Sequence, residues 1–375
     1  MQKITIIGAG IGGLTTAIAL IQKGFEVEIF ENSQEFKKAG SGINLAINAM
    51  QVYKELGIYD DILAKANYIK AMNALTKKLS VLTNANFKKF EKKYKAKTVA
   101  IHRASLHEIL LSHLRNTQIH LNKKLTSLVQ NNGIVNLIFE DGTSYNAAIV
   151  IGADGIHSNV RKSIFENTEL RDAKQVCWRG ISKAKIDKKY IEELNEIWGK
   201  GNRFGFVHIT SNEIYWFALV NKDKFKSKDD DLIQIFSDYP SMVKKIIAET
   251  EKKDILCNEI WDLKPIEKWY KGNVCLLGDA AHATTPNMGQ GACQAIESAM
   301  ALSICLKEEK SSETAFSRYQ LIRKAKANDV TKTSWLLGKI AQSNNSLICI
   351  LRNLVLKITP KYITAKQSEK ILKLN

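Results

Sequence analysis

Residues Gly278-Asp279-Ala280-Ala281-His282, with Pro286, Gly289 and Gly291 just beyond, bring one carboxylate, a proline turn and several small residues into a short stretch. They follow the apolar run Asn273 to Leu277 and lead into a helical pattern opening near Gln290, so they read as a strand–loop–helix unit. Such a unit presents free backbone N–H groups at a helix N-terminus. Asp279 can accept hydrogen bonds from sugar-like hydroxyls, and the glycine-flanked turn lets a flat ring approach the backbone. A polyhydroxylated chain ending in a polar ring suits these groups.

A second cluster opens the chain. Lys3 to Ile7 reads as a strand, Gly8-Ala9-Gly10-Ile11-Gly12-Gly13 follows, Leu14 to Lys23 reads as a helix, and the strand Val27 to Phe30 ends at Glu31. In this pattern Gly8 makes the tight turn, Gly10 lets the backbone approach a pyrophosphate, and Gly13 permits close helix–strand packing. Glu31 stands about 20 residues on, where an acid holds the adenosine ribose. The ligand implied by the two clusters together is a flavin. A third cluster follows the buried strand Ala147 to Ile151: Gly152-Ala153-Asp154-Gly155, with Ser158 and Arg161 opening a helix.

The elements that position these clusters are legible in outline. Met1 to about Lys70 reads as βαβ followed by helices, with Ala39-Gly40-Ser41-Gly42-Ile43 as a glycine-rich loop. Ala71 to Tyr94 alternates polar and apolar residues and suits strands or a hairpin. A helix is expected over Ala104 to Arg115, and Asp141-Gly142 marks a hairpin turn. From Gln175 to about Asp262 the texture changes to strands of a second, mostly antiparallel sheet (Cys177 to Ala184, Arg203 to Ile209, Glu213 to Val220), with helices over Asp230 to Phe236 and Pro240 to Thr250. Ala292 to Lys307 is a long apolar helix, and the chain is helical from Ala315 onward.

The net charge of +17 comes mainly from lysines, many of them in scattered or clustered runs such as Lys77 to Lys97. That suits a solvated face and not a nucleic-acid groove. The six cysteines form no CxxC pair, which speaks against a redox disulfide and against a zinc site; no metal is expected. The first strand begins almost at once, without a signal peptide, and no apolar run is long enough to span a membrane. The chain reads as cytoplasmic, a monomer or homodimer, with peripheral membrane contact left open for the apolar stretch Trp335 to Pro360. Packing of that stretch on its own domain or a dimer contact is the favoured reading.

In this order and spacing the three clusters resemble the single-component flavin monooxygenases of the para-hydroxybenzoate hydroxylase fold, over nearly the whole chain. His102-Arg103-Ala104-x-Leu106 resembles the family's flavin-contacting arginine at a helix start. Trp178-Arg179-Gly180, the stretch from Trp198 to Gly205, and Leu351-Arg352-Asn353 with Pro360 look like the branch containing salicylate hydroxylase, urate hydroxylase and zeaxanthin epoxidase.

The resemblance implies an α/β fold: a Rossmann-like FAD-binding domain (1–70, 96–174 and 270–330), an inserted, mostly antiparallel substrate domain (71–95 and 175–269), and C-terminal helices (331–375). It implies FAD held by Gly8, Gly10, Gly12, Gly13, Glu31, Arg103, Asp154, Gly155, Asp279, Pro286, Gly289 and Gly291. Glu31 would bind the ribose, Arg103 the phosphates or ribityl chain, and Asp279 a ribityl hydroxyl. Pro286 and the backbone from Asn287 to Gly291 would sit against the isoalloxazine ring. Asp154 and Gly155 would also serve the passing nicotinamide, since the family lacks a separate NAD(P)H domain. The implied reaction uses NADH or NADPH and O2 to hydroxylate or epoxidise a small aromatic, heteroaromatic or polyene substrate through a flavin C4a-hydroperoxide. No side chain has to be a nucleophile. Arg203 and Tyr215 are the candidate substrate contacts, matching an arginine and a tyrosine of the urate hydroxylases; a surface ion pair and a core tyrosine are the alternatives.

A flavin halogenase would need Trp-x-Trp-x-Ile-Pro, which Trp178, Trp198, Trp216, Trp261, Trp269 and Trp335 do not provide. An isoprenoid-type FAD reductase and a non-catalytic flavin- or ligand-binding protein remain as alternatives.

Overall fold

The computed structural model describes residues 3–36 and 41–374. Ala39 and Gly40 of the expected glycine-rich loop lie outside them, and Gly42–Leu45 forms a strand.

Lys3–Ile7, Glu26–Phe30, Ile149–Gly152 and Val274–Leu276 are short, apolar and almost wholly buried, as strands covered on both faces must be. They lie side by side and parallel in a six-stranded sheet, in the order Tyr270–Lys271, Val274–Leu276, Ile149–Gly152, Lys3–Ile7, Glu26–Phe30, Gln118–His120. The helix Ile11–Gln22 buries Leu14, Ala17, Ile18 and Leu20 against this sheet. Gly12 lets that helix touch the helix Gly291–Glu308: a Cβ there would lie 3.2 Å from the side chains of Ala295 and Leu277.

The second sheet has seven strands, in the order Leu256–Leu263, Leu170–Ser182, Ile214–Asn221, Asn202–His208, Glu193–Trp198, Ala71–Thr76, Val81–Asn86. All neighbours are antiparallel except Glu193–Trp198 with Ala71–Thr76. Alternation gives this sheet two different faces. One carries Trp178, Phe204, Phe206, Trp216 and Val220 and is covered by Leu232, Phe236, Val243, Ile246 and Ile247 of two helices. Phe204 stacks on Trp216 at 5.6 Å between centroids. Burying each such ring is worth roughly 2–3 kcal/mol. That core clamps the sheet from behind and leaves the opposite face to the half built on the parallel sheet.

Two elements differ from expectation. Lys88–Tyr94 is a helix, not part of a strand pair: Phe90 anchors it, and its lysines and glutamate are good helix formers. The C-terminal helix Ser346–Ile358 leaves Leu347, Leu351 and Leu354 exposed; Arg352 is its buried residue, and Leu356 is half-buried against the cluster that holds Trp198 and Leu82.

Candidate active site

The three clusters and Glu31 follow the carboxyl ends of four adjacent parallel strands, so their loops line one edge of the sheet. This is where open α/β sheets take their ligands. At about 4.8 Å per strand, the strands leading to Glu31 and Asp279 stand roughly 14 Å apart along that edge. A long ligand, not a compact one, matches the spread.

Each loop is tied to its neighbours. Gly8 has φ +105°, and a Cβ there would lie 2.4 Å from the carbonyl oxygen of Ala153. At Gly13 a Cβ would lie 2.0 Å from the Gly8 carbonyl oxygen, so the third position of the helix must be a glycine. The Glu31 carboxylate accepts from the N–H groups of Ala9 (2.7 Å) and Ser33 (2.8 Å), joining the first and second strand ends. Asp154 accepts from Ser158 Oγ (2.5 Å) and the Val160 N–H (3.0 Å), and so caps its own loop. Burial raises the Asp154 pKa above the usual carboxylate range, against the pull of the Ser158 hydrogen bond. Buried Arg161 donates to the carbonyls of Ile156 (2.6 Å) and Ala280 (3.0 Å), bridging the Gly152–Arg161 cluster to the Gly278–Gly291 cluster.

Between these ties the surface is open. A Cβ at Gly10, Gly155 or Gly289 would meet nothing within 4 Å. Gly155 and Gly289 have φ +78° and +61°, in the left-handed region where glycine carries no penalty. Arg103 opens the helix Arg103–Ser112, is exposed, and forms no guanidinium hydrogen bond among the described residues. Asp279 is accessible to solvent, yet protein surrounds it closely enough that desolvation raises its pKa; the Arg103 charge opposes the shift. An accessible carboxylate deep in the fold, a nearby unengaged guanidinium and three uncovered glycines along one edge are what FAD would require. The residues present fit that group.

The loop carrying Pro286, Gly289 and Gly291 is fastened from outside by residues that motif reading passes over. Asn287 donates to Thr285 Oγ1 and to the Ser334 carbonyl, both at 2.9 Å, and accepts from Arg203 Nη2 at 2.7 Å. Ser334 Oγ donates to the Thr285 carbonyl (2.7 Å). Gly338 belongs to the same helix, Ser312–Ala341, and a Cβ there would stand 2.3 Å from Asn287 Nδ2. Beneath the loop, Glu297 is paired with Arg323 (2.6 Å) and Lys326 (2.8 Å) and accepts from Asn48, which also donates to Gln290 (3.0 Å). These contacts come from distant segments and leave no local signature.

Arg203 is buried and heavily engaged. Its guanidinium donates to Gln342 (2.8 Å), Glu196 (2.9 Å), Gln175 (3.4 Å) and Asn287, so it joins the second sheet to the loop. Tyr215 is also buried; its ring lies against Gly42, where a Cβ would approach it to 2.5 Å. Desolvation raises its phenol pKa, with Arg179 and Arg103 close enough to oppose the shift. The sheet face shared by Tyr215 also carries Met72, Leu194 and Val207 in one row, and Gly205, Phe217 and Arg179 in the next. Met72 is exposed and Phe217, Ile181 and Arg179 are half-buried. His208 pairs with Ile214 on the helix-covered face, away from this surface. His282 is buried against Trp269 and hydrogen-bonded to Ser298 Oγ (3.1 Å). Burial, then the charge of Arg323, pushes its pKa down to about 3. His102 caps the helix Arg103–Ser112 by accepting from the Ala104 N–H. Among the described residues no group of His, Cys, Asp and Glu could hold a metal ion, and no helix is long and apolar enough to cross a membrane.

Residues 1–334 match the family described as FAD binding domain. The chain is 31% identical to aurachin C monooxygenase/isomerase of Stigmatella aurantiaca over 361 residues, covering 95% of this chain and 94% of that protein. It is 27% identical to 2-heptyl-3-hydroxy-4(1H)-quinolone synthase of Pseudomonas aeruginosa, covering 96% and 94%. Its fold superposes with a TM-score of 0.90 on the crystal structure of Klebsiella pneumoniae HpxO complexed with FAD and uric acid, at 26% identity and covering 99% and 97%. Oxygen insertion is the chemistry these comparisons favour over reduction or simple sequestration.

Proposed function

Since the chain belongs to the FAD-dependent aromatic hydroxylase family and is an FAD-dependent monooxygenase, we propose that it takes electrons from NADH or NADPH and places one atom of O2 on an electron-rich heteroaromatic ring. Quinolone-type bicycles bearing an alkyl chain are the first substrates to try, by likeness to the Pseudomonas relative. One observation carries the reading: the accessible Asp279 carboxylate lies deep within the protein, and the second sheet turns a partly uncovered face of Met72, Phe217, Ile181 and Arg179 toward the nucleotide-binding half.

FAD, once bound and reduced, supplies the oxygen-activating chemistry. The chain's own residues bind, orient and keep water out. Glu31 would hold the ribose, Arg103 the phosphates or ribityl chain, and Asp279 a ribityl hydroxyl. Pro286 and the backbone through Gly291 would lie against the ring, held in place by Asn287 and Arg203. Phe217 and Ile181 would exclude water beside the substrate, and Tyr215 and Arg179 would offer polar contacts to its heteroatoms.

The test is to purify the protein, record its absorbance between about 350 and 500 nm, and follow NADH and NADPH oxidation with alkylquinolones, phenols and purines. The expected result is a yellow protein whose nicotinamide oxidation is accelerated by one of these rings, with O2 uptake and a product one oxygen atom heavier. A colourless protein that takes up no added FAD overturns the reading. So does nicotinamide oxidation that proceeds equally without oxygen.

A further inference from the structure

We propose that the helix Ser346–Ile358 seats this protein on an anionic lipid surface. The inference is independent of the reaction assigned above.

The helix is amphipathic in the inverted sense. Its buried residue is Arg352, 5% exposed. The Arg352 guanidinium donates to the carbonyls of Ala341 (2.8 Å) and Gly199 (3.4 Å) and lies 5.2 Å from the Trp198 ring centroid. The outward face carries Leu347 (77% exposed), Ile350 (66%), Leu351 (61%), Leu354 (54%) and Ile358 (67%). This is the i, i+3, i+4, i+7 spacing of one helical face. The helix cannot roll to bury these leucines without tearing Arg352 from its carbonyls and leaving a charge unpaired. Exposed Leu336 and Ile340 lie on the last turns of the preceding helix, at the Arg352 contact, and exposed Tyr362 opens the next helix. Contiguous apolar surface of this kind on a soluble fold marks a partner.

Charge decides which partner. Residues 330–368 contain no Asp or Glu, but they include Lys332, Lys339, Arg352, Lys357, Lys361 and Lys366. Lys339 and Lys357 are exposed beside the leucines. Two such faces brought together would place lysine against lysine, which disfavours a second copy of a chain that already carries +17. An anionic lipid surface satisfies both features, since the leucines enter the acyl boundary while the lysines meet headgroup phosphates.

The full chain, saturated with FAD, is mixed with vesicles of phosphatidylcholine and phosphatidylglycerol in equal parts and sedimented. Binding is expected, about tenfold or more weaker on phosphatidylcholine alone. It should fall about 100-fold in the Leu351→Asp, Leu354→Asp double variant, with the melting temperature of the protein kept as the control for folding. A second variant, Lys339→Glu with Lys357→Glu, leaves the leucines in place and should remove the preference for the anionic vesicles. No sedimentation with anionic vesicles overturns the proposal, as does unchanged binding in the leucine variant. A concentration-dependent dimer that the leucine variant disperses overturns it in favour of a second copy.

Discussion

Replacing Asn287 with alanine removes the side chain that ties the loop from Thr285 to Gly291 to both the second sheet and the long helix. Three hydrogen bonds go: from Arg203 Nη2 (2.7 Å), to Thr285 Oγ1 (2.9 Å) and to the Ser334 carbonyl (2.9 Å). The bond to a charged group is worth about 1.5–3 kcal/mol and each neutral one about 1 kcal/mol, for a gross loss of roughly 3–5 kcal/mol. Arg203 keeps Gln342, Glu196 and Gln175, so its charge is not stranded, and about 2–4 kcal/mol is the expected net cost. The assay is urea unfolding with and without saturating FAD, together with the dissociation constant for FAD. Asn287→Ala should lower the unfolding midpoint in both conditions and weaken FAD binding, because the loop from Pro286 to Gly291 loses its outer anchor. Asn287→Asp should fall between: it keeps an acceptor for Arg203 but turns two donors into repelling acceptors facing Thr285 and Ser334. An alanine variant with the parental midpoint and the parental FAD affinity would refute the reasoning, since the loop would then be held by its own backbone.

Two further outcomes follow from single residues. Gly10→Val should leave the protein without FAD stable to within about 0.5 kcal/mol, because Gly10 has φ −69° and a Cβ there meets nothing within 4 Å, yet FAD uptake should fall at least 100-fold, read by flavin fluorescence. His282→Gln should flatten the acid limb of the stability curve. The His282 pKa in the folded protein is about 3, against 6.5 when unfolded, so the unfolded state binds the extra proton and stability falls as the pH drops from 6.5 toward 3. At pH 5 that amounts to about 2 kcal/mol, which the glutamine variant should not lose between pH 7 and pH 5.

The nucleotide-binding half was legible because its signals are local. A glycine at a strand end, an acid at the next strand end and an apolar helix between them are read within one βαβ unit, and Gly8 and Gly13 are glycines for reasons confined to that unit and the adjoining loop. The second sheet was legible in its strands but not in its two faces. Which of Arg203 and His208 looks toward the loop carrying Asn287 depends on register with strands far away, and both lie on the same strand. Arg203 also shows what motif reading cannot supply: its partners Gln175, Asn287 and Gln342 come from three remote segments. The helix Ser346–Ile358 went furthest from expectation. Apolar periodicity says that a face exists, but here a single buried arginine decides which way that face points.

Synthesis from the N-terminus releases Lys3–Ile7 and Glu26–Phe30 early, whereas Val274–Leu276, which completes the parallel core beside Ile149–Gly152, leaves the ribosome last among them. The side chains that press on Gly12, those of Leu277 and Ala295, arrive later still. A nascent chain therefore carries half of a nucleotide cradle with an uncovered apolar flank while the intervening second sheet is being made. Contacts of such long sequence separation fold slowly. The helix Gly291–Glu308, which packs on Gly12, is thus made late, and any shortened product ending before residue 291 has the four parallel strands and their loops but lacks the helix that covers them.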